Sequence, residues 1–180
     1  MTRAQLISTV GLLVVLGLVA WAMAAGWRHR RRRTGELVPA LPAAPDDLGE
    51  ARTEPIEAQY VTTTRAGDWL DRVVAADLGV RGTATVQVFD AGVRIERRGE
   101  PQVFLPAAAL IGATTAPGMA GKVVGRDGLV VLTWRADPND ERGLDTGLRT
   151  RHAADRDLLV AAASALIATT SGAAGREENA

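Results

Sequence analysis

The reactive inventory of this chain is small: two histidines, no cysteine, and scattered acids and arginines. His29 stands among arginines, which leaves His152 as the one histidine a folded domain could use. A Ser–His–Asp site would need Ser164 or Ser171 beside it. Ser164 falls in an amphipathic helical stretch, and an exposed histidine ahead of a helix is the plainer reading. One domain histidine without thiolates gives no zinc set, and the absence of cysteine excludes a disulfide framework and a thiol nucleophile. Asp137-Pro138-Asn139-Asp140-Glu141 has the look of a calcium loop. Arg142 stands where that loop needs glycine, and no Glu follows at its twelfth position. Gly118-Met119-Ala120-Gly121-Lys122-Val123 echoes a phosphate loop, but Ala116 replaces the first glycine and Val123 stands where Ser or Thr must hold magnesium. These two stretches read as a solvated hairpin loop and a turn entering a strand. The chain is therefore expected to be no enzyme, with no cofactor and no metal.

What remains is arginine. Arg94, Arg97 and Arg98 could form an anion-binding face together with Arg149 and Arg151. The competing reading is ordinary solvent-facing arginine, paired with Glu96, Asp145 or Asp90. Residues 58–171 hold 13 Lys+Arg and 13 Asp+Glu. That neutrality, with few aromatics, speaks against nucleic acid as a partner.

The elements that would position these residues begin with Leu6 to Trp27, a 22-residue run without Asp, Glu, Lys or Arg. At ~1.5 Å per residue a helix of this length reaches roughly 33 Å, enough for a hydrocarbon core of ~30 Å. Arg28-His29-Arg30-Arg31-Arg32-Arg33 follows at once. Only Arg3 and the α-amine precede the run. Arginine-rich flanks stay on the cytoplasmic side, so the reading is a single-pass signal-anchor in the plasma membrane, N-terminus outside and everything from Arg28 onward inside. The basic collar would lie at the inner-leaflet headgroups. Trp21 and Trp27 sit near the inner end, where indoles favour the interface, although Trp27 can equally be plain span. The rival is a cleaved signal peptide, with small-x-small sites at Ala20-Trp21-Ala22 and Ala22-Met23-Ala24. The weakly basic start, the long apolar run and the arginines behind it count against that rival.

Charge divides along the chain. Of 21 basic residues six lie in 1–33, which has no acid, so 34–180 carry 15 against all 21 acids, net −6. An acidic body behind a basic collar suits a module held off an anionic surface. One Lys (Lys122) against 20 Arg is the usage of a GC-rich genome. Residues 34–57 hold four of the eight prolines and six acids against Arg52 alone. They read as an extended, mobile linker that buries no core. The resulting organisation is a short outside segment at 1–5, a span at 6–27, a collar at 28–33, the linker, a domain at 58–171 and a frayed tail at 172–180.

The domain alternates and turns often, which reads as β. Strands are expected at Tyr60–Thr64, Thr83–Phe89, Val93–Arg97, Gln102–Leu105, Ala108–Thr114 and Leu144–Thr150. Lys122–Gly125 and Leu129–Trp134 read as a hairpin. Asp68–Val74 has helical spacing, with Asp68 as cap and Gly79 as stop. The firmer helix opens at Asp155, carries a stripe of Leu158, Leu159, Ala162, Ala163, Leu166 and Ile167, and ends at Gly172. Antiparallel strands closed by one amphipathic helix suggest a small β-barrel or orthogonal sandwich.

Tyr60-Val61-Thr62-Thr63-Thr64, Asp68-Trp69-Leu70-Asp71-Arg72-Val73, Asp90-Ala91-Gly92-Val93-Arg94-Ile95-Glu96-Arg97, Ala120-Gly121-Lys122-Val123-Val124 and Leu144-Asp145-Thr146-Gly147-Leu148-Arg149 resemble the small actinobacterial single-span membrane proteins with a PH-like domain. Genes for that family are often met beside pyrimidine-biosynthesis genes. The resemblance implies a mainly β fold, a pleckstrin-homology-like barrel capped by its C-terminal helix, and no known activity. Lipid-binding PH domains cluster basic residues after the first strand. Here Arg65-Ala66-Gly67-Asp68 follows, which does not support phosphoinositide binding. The expected function is a membrane-anchored cytoplasmic adaptor with inner-leaflet lipids around its anchor and an unidentified protein partner. Two alternatives are an anionic-lipid surface module using Arg94, Arg97 and Arg98, and an accessory subunit of an export or transport complex. The sequence fixes no oligomeric state.

Overall fold

A computed structural model describes residues 3–35, 38, 40–123, 125 and 128–177. Among these residues, helix α1 (Arg3–Gly35) leads to ten strands: β1 (Ile56–Arg65), β2 (Asp68–Arg72), β3 (Gly82–Phe89), β4 (Gly92–Arg97), β5 (Val103–Pro106), β6 (Leu110–Ala116), β7 (Gly118–Met119), β8 (Lys122–Val123), β9 (Leu129–Trp134) and β10 (Leu144–Thr150). Helix α2 (Ala153–Glu177) closes the chain, and 3-10 turns occupy Ala75–Asp77 and Ala107–Ala109. The main sheet runs β5-β4-β3-β1-β10-β9-β6, antiparallel throughout, with β2 added beside β1.

Alternation explains the core. Ile56, Ala58 and Tyr60 on β1 face inward with Ala84, Val86 and Val88 on β3 and Val93 and Ile95 on β4. Leu129 to Leu132 is buried at every position, as expected of a strand covered on both faces. Helix α2 lies against β3, β6, β9, β10 and the second 3-10 turn, so it covers the curled sheet between its two ends. Its buried stripe is Leu159, Ala163 and Leu166, at helical spacing; Leu158 is exposed instead. The helix also runs past Gly172 to Glu177 rather than stopping there. Gly172 does not adopt the left-handed conformation that a glycine stop uses.

In the core of the curled sheet a chain of hydroxyls is satisfied in one direction. The Trp134 indole N–H donates to Thr146 Oγ1 (2.9 Å), Thr146 Oγ1 pairs with Thr63 Oγ1 (2.8 Å), Thr63 Oγ1 pairs with the Tyr60 hydroxyl (2.6 Å), and that hydroxyl donates to the Leu78 carbonyl (3.0 Å). The indole can only donate and the carbonyl can only accept, so each hydroxyl between them must accept from one side and donate to the other. All four side chains are fully buried. Burial pushes the Tyr60 phenol up to about 12, against the opposing pull of Thr63 and of the Arg97 charge.

Three local expectations are corrected. Asp68–Val74 is not a helix. Asp68 does accept from the N–H groups of Leu70 and Asp71, like a cap, but the following backbone pairs with β1, where the Val73 N–H donates to the Thr63 carbonyl (2.9 Å). Strand addition uses the groups a helix would have used, and it leaves Trp69 and Leu70 exposed. Of the expected hairpin, Val124, Arg126 and Asp127 lie outside the described residues, and the described Lys122–Val123 pairs with Gly118–Met119 rather than with β9. The turn is Ala120-Gly121, both at positive φ, and β9 is already held by β6 and β10.

The third correction concerns the linker, whose described residues dock onto the domain. Val38 is buried in the main core, and Leu41 packs against it. The Arg52 N–H donates to the Val88 carbonyl (2.8 Å), and the Asp90 and Ala91 N–H groups donate to the carbonyls of Glu50 and Leu48. Thr53 is buried, and its hydroxyl oxygen accepts from the Val88 N–H. Proline and acid dominate the composition, but a few anchoring residues suffice to hold the strap.

The predicted span at 6–27 lies within α1, whose described side chains run over 10–26. Leu12, Leu13, Leu16, Leu18 and Trp21 are exposed there, as is Arg28. The side chains of Leu6, Trp27, Arg30, Arg31, Arg32 and Arg33 lie outside the described residues. Among the described residues no helix is long and apolar enough to cross a membrane. Helix α1 touches the 3-10 turn Ala75–Asp77.

Candidate binding groove

The outer face of the sheet carries a groove of about 850 Å³, lined by Glu57 to Gln59, Thr83 to Thr85, Glu96 to Arg98 and Arg149 to Arg151. It is four strands wide and three residues deep along each strand. Register decides which side chains meet. Ala58, Ala84 and Arg97 share the middle row, with Thr150, and the first three are buried toward the core. The rows on either side therefore point outward.

One outward row is Arg98, Thr83, Gln59, Arg149. Gln59 pairs with both Thr83 and Arg149, and the Arg98 N–H donates to the Thr83 carbonyl (3.0 Å). The other is Glu96, Thr85, Glu57, Arg151, in which the Arg151 N–H donates to the Glu57 carbonyl (3.3 Å). The two rows differ in charge compensation. Glu57 pairs with Arg151 (3.0 Å) and Glu96 with Arg94 (3.2 Å). Among the described residues neither Arg98 nor Arg149 forms an ion pair. Arg81 bonds the Gln59 amide oxygen and adds a further cation beside this row.

Arg97 adds charge from below. It is 6% exposed, stacks 4.8 Å from the Tyr60 ring centroid, and donates to the carbonyls of Pro101 (3.0 Å) and Asp77 (2.7 Å). Its Nη2 has no partner among the described residues, and no carboxylate there pairs with it. The partners of this buried guanidinium are two backbone carbonyls and a ring face rather than a carboxylate. The groove is thus positive although the domain as a whole is neutral.

Arg94, Arg97 and Arg98 do not form a single face. Arg97 points inward with Val93 and Ile95, as period-two alternation along β4 dictates. Arg94 pairs with Gln87 and Glu96 and lies over Phe89 (4.8 Å), outside the groove lining. Arg98 does line the groove, with Arg149 and Arg151. Alternation could have separated Arg97 from its neighbours. Gln59 and Thr83 gave no signal, because only register brings them between two arginines.

The other sequence candidates resolve as scaffold. Asp140 places both carboxylate oxygens on the Arg65 guanidinium, which holds its carboxyl below the usual range, and Asp137 caps Asn139. Together they fix the β9–β10 loop. No cluster of metal-ligating side chains occurs among the described residues. His152 is exposed ahead of α2, and Ser164 and Ser171 are exposed along that helix.

An antiparallel sheet curled around one core and covered by a C-terminal helix is the arrangement a PH-like domain requires, and the model of the family described as "Bacterial PH domain-like" matches residues 38–164. The chain belongs to the bacterial PH domain-like family. The match opens at Val38, the first buried residue of the strap, so the strap falls within the family's domain. It closes inside α2, after the buried Leu159 and Ala163. No curated protein matches the chain.

Proposed function

We propose that the chain is a membrane-tethered, non-catalytic binding module whose PH-like domain holds a protein partner in the groove across β4, β3, β1 and β10. The observation that carries this reading is the outward row whose two ends, Arg98 and Arg149, form no ion pair among the described residues. Acids elsewhere in the groove are already paired, so an incoming anionic group meets little competition. The lining is Arg, Glu, Gln, Thr and Ala, a set suited to recognition.

The tether in this reading is the apolar run 6–27, with the N-terminus outside and the arginines from Arg28 to Arg33 at the inner leaflet. This is the single-span arrangement of the actinobacterial proteins that the sequence resembles. A docked strap leaves little free chain between anchor and domain, so the groove would stay near the membrane and its partner's effective concentration would rise. The lipid-surface alternative has less support, because it needs Arg94, Arg97 and Arg98 on one face.

Two measurements test this reading. Alkaline extraction of membranes should leave the full chain in the pellet, and an export-dependent reporter fused at Ala180 should be inactive. A photoreactive residue at Thr85 should give a discrete protein adduct in cells, whereas one at Ser164 on α2 should not. Release by alkali, an active reporter, or equal labelling at both positions contradicts it.

A further inference from the structure

The groove has a length as well as a charge, and the two together specify what it holds. Arg98 and Arg149 end one row that crosses four strands. Neighbouring strands lie about 4.8 Å apart, so three spacings put the two backbones about 14 Å from each other. An extended peptide rises about 3.4 Å per residue, and its side chains alternate between faces. Positions i and i+4 are therefore both on one face and about 14 Å apart. Positions i and i+3 fall on opposite faces and about 10 Å apart. We infer that the groove binds an extended acidic segment of a partner protein that crosses the strands, with carboxylates four residues apart meeting Arg98 and Arg149.

The floor between the two arginines fits that occupant. Thr83 and Gln59 offer a hydroxyl and an amide to the peptide bonds of the crossing segment. The buried Arg97 charge lies one row away and biases the whole groove toward anions. The second row, with Glu57 and Glu96 already paired, adds no net positive charge of its own, so a single basic row sets the register. A lone phosphate would not span the row from Arg98 to Arg149 and would leave most of the groove empty. A bilayer face would need a broad basic surface, and Arg94 is turned to Glu96 and Phe89 instead.

This inference rests on the groove being the partner site, and its test separates the two ideas. The full-length chain in mild detergent is titrated with fluorescent six-residue peptides rich in Thr and Val. One carries Glu at i and i+4, another at i and i+3, and a third has Gln for both. The i,i+4 peptide should bind, weaken as salt rises, and lose about fivefold in affinity with either Arg98→Gln or Arg149→Gln. Arg72→Gln, outside the groove lining, should leave its affinity unchanged. Equal binding of the i,i+3 peptide, an unaltered affinity in the double variant, or no binding of any peptide overturns the inference. So does competition by phosphate or phosphatidylglycerol micelles that is stronger than that of the i,i+4 peptide itself. Failure of the peptides while Thr85 still labels a partner in cells removes only the acidic-segment assignment. Failure of both removes the groove as partner site.

Discussion

Trp134 and Tyr60 lie on different strands and are joined through two threonine hydroxyls into one line of hydrogen bonds that ends on the Leu78 carbonyl. Its direction is fixed at both ends, so no member can be lost without leaving a buried group unpaired. Thr63→Val keeps the volume and removes the link. The Tyr60 hydroxyl then loses its donor and Thr146 its acceptor. The expected cost is about 1–3 kcal/mol, read as a lower urea midpoint with an unchanged slope.

The same phenol gives a pH signature. Its folded value is pushed up to about 12, above the ordinary 10.0, first by desolvation. Above pH 10 the unfolded chain loses this proton while the folded chain keeps it. Stability is therefore full below about pH 10 and falls as pH rises toward 12, by up to about 3 kcal/mol. Ultraviolet titration should show no folded-state phenolate below about pH 11. Tyr60→Phe should remove the decline.

Gly92 has φ +154°, and a Cβ there would stand 2.2 Å from the Leu105 carbonyl oxygen. Gly92→Ala must push β5 away from β4, and the expected loss exceeds about 2 kcal/mol. Gly99, at φ +81° with no atom near its Cβ position, is the control; Gly99→Ala should cost about 1 kcal/mol through backbone strain alone.

The strap is tested at Val38 and Asp90. Val38→Ala should destabilise the domain by about 1–3 kcal/mol although the residue lies outside the sheet. Asp90 accepts from Arg52 Nε (2.7 Å) and the Glu50 N–H (3.0 Å), and Arg52 foremost holds its carboxyl below the usual range. Its contribution is present above the ordinary carboxylate value and is lost as pH falls through the lowered one. Asp90→Asn should raise amide exchange at Arg52 and Ala91 at neutral pH and remove the acid dependence there.

How much of this was legible in the sequence follows from the range of each signal. Val93, Arg94, Ile95 and Glu96 declared their faces by alternation, and β3 and β4 stand where that pattern put them. Asp68 to Val73 carries a genuine capping residue and helical apolar spacing, but β1 offers those backbone groups better partners. Prolines and acids made 34–57 look like free chain, because Val38 and Thr53 are too few to shift a composition. The groove could not be read at all. Its row joins Arg98 to Arg149 through Gln59 and Thr83, and register is a property of the folded sheet.

The most direct test of the binding groove places a photoreactive residue at Thr85 of the full-length chain in cells and compares the parent with the Arg98→Gln/Arg149→Gln double variant. The groove account expects one protein adduct in the membrane fraction, reduced at least about tenfold by the double variant at equal chain abundance. An adduct of equal yield in parent and variant, or none in either, contradicts it.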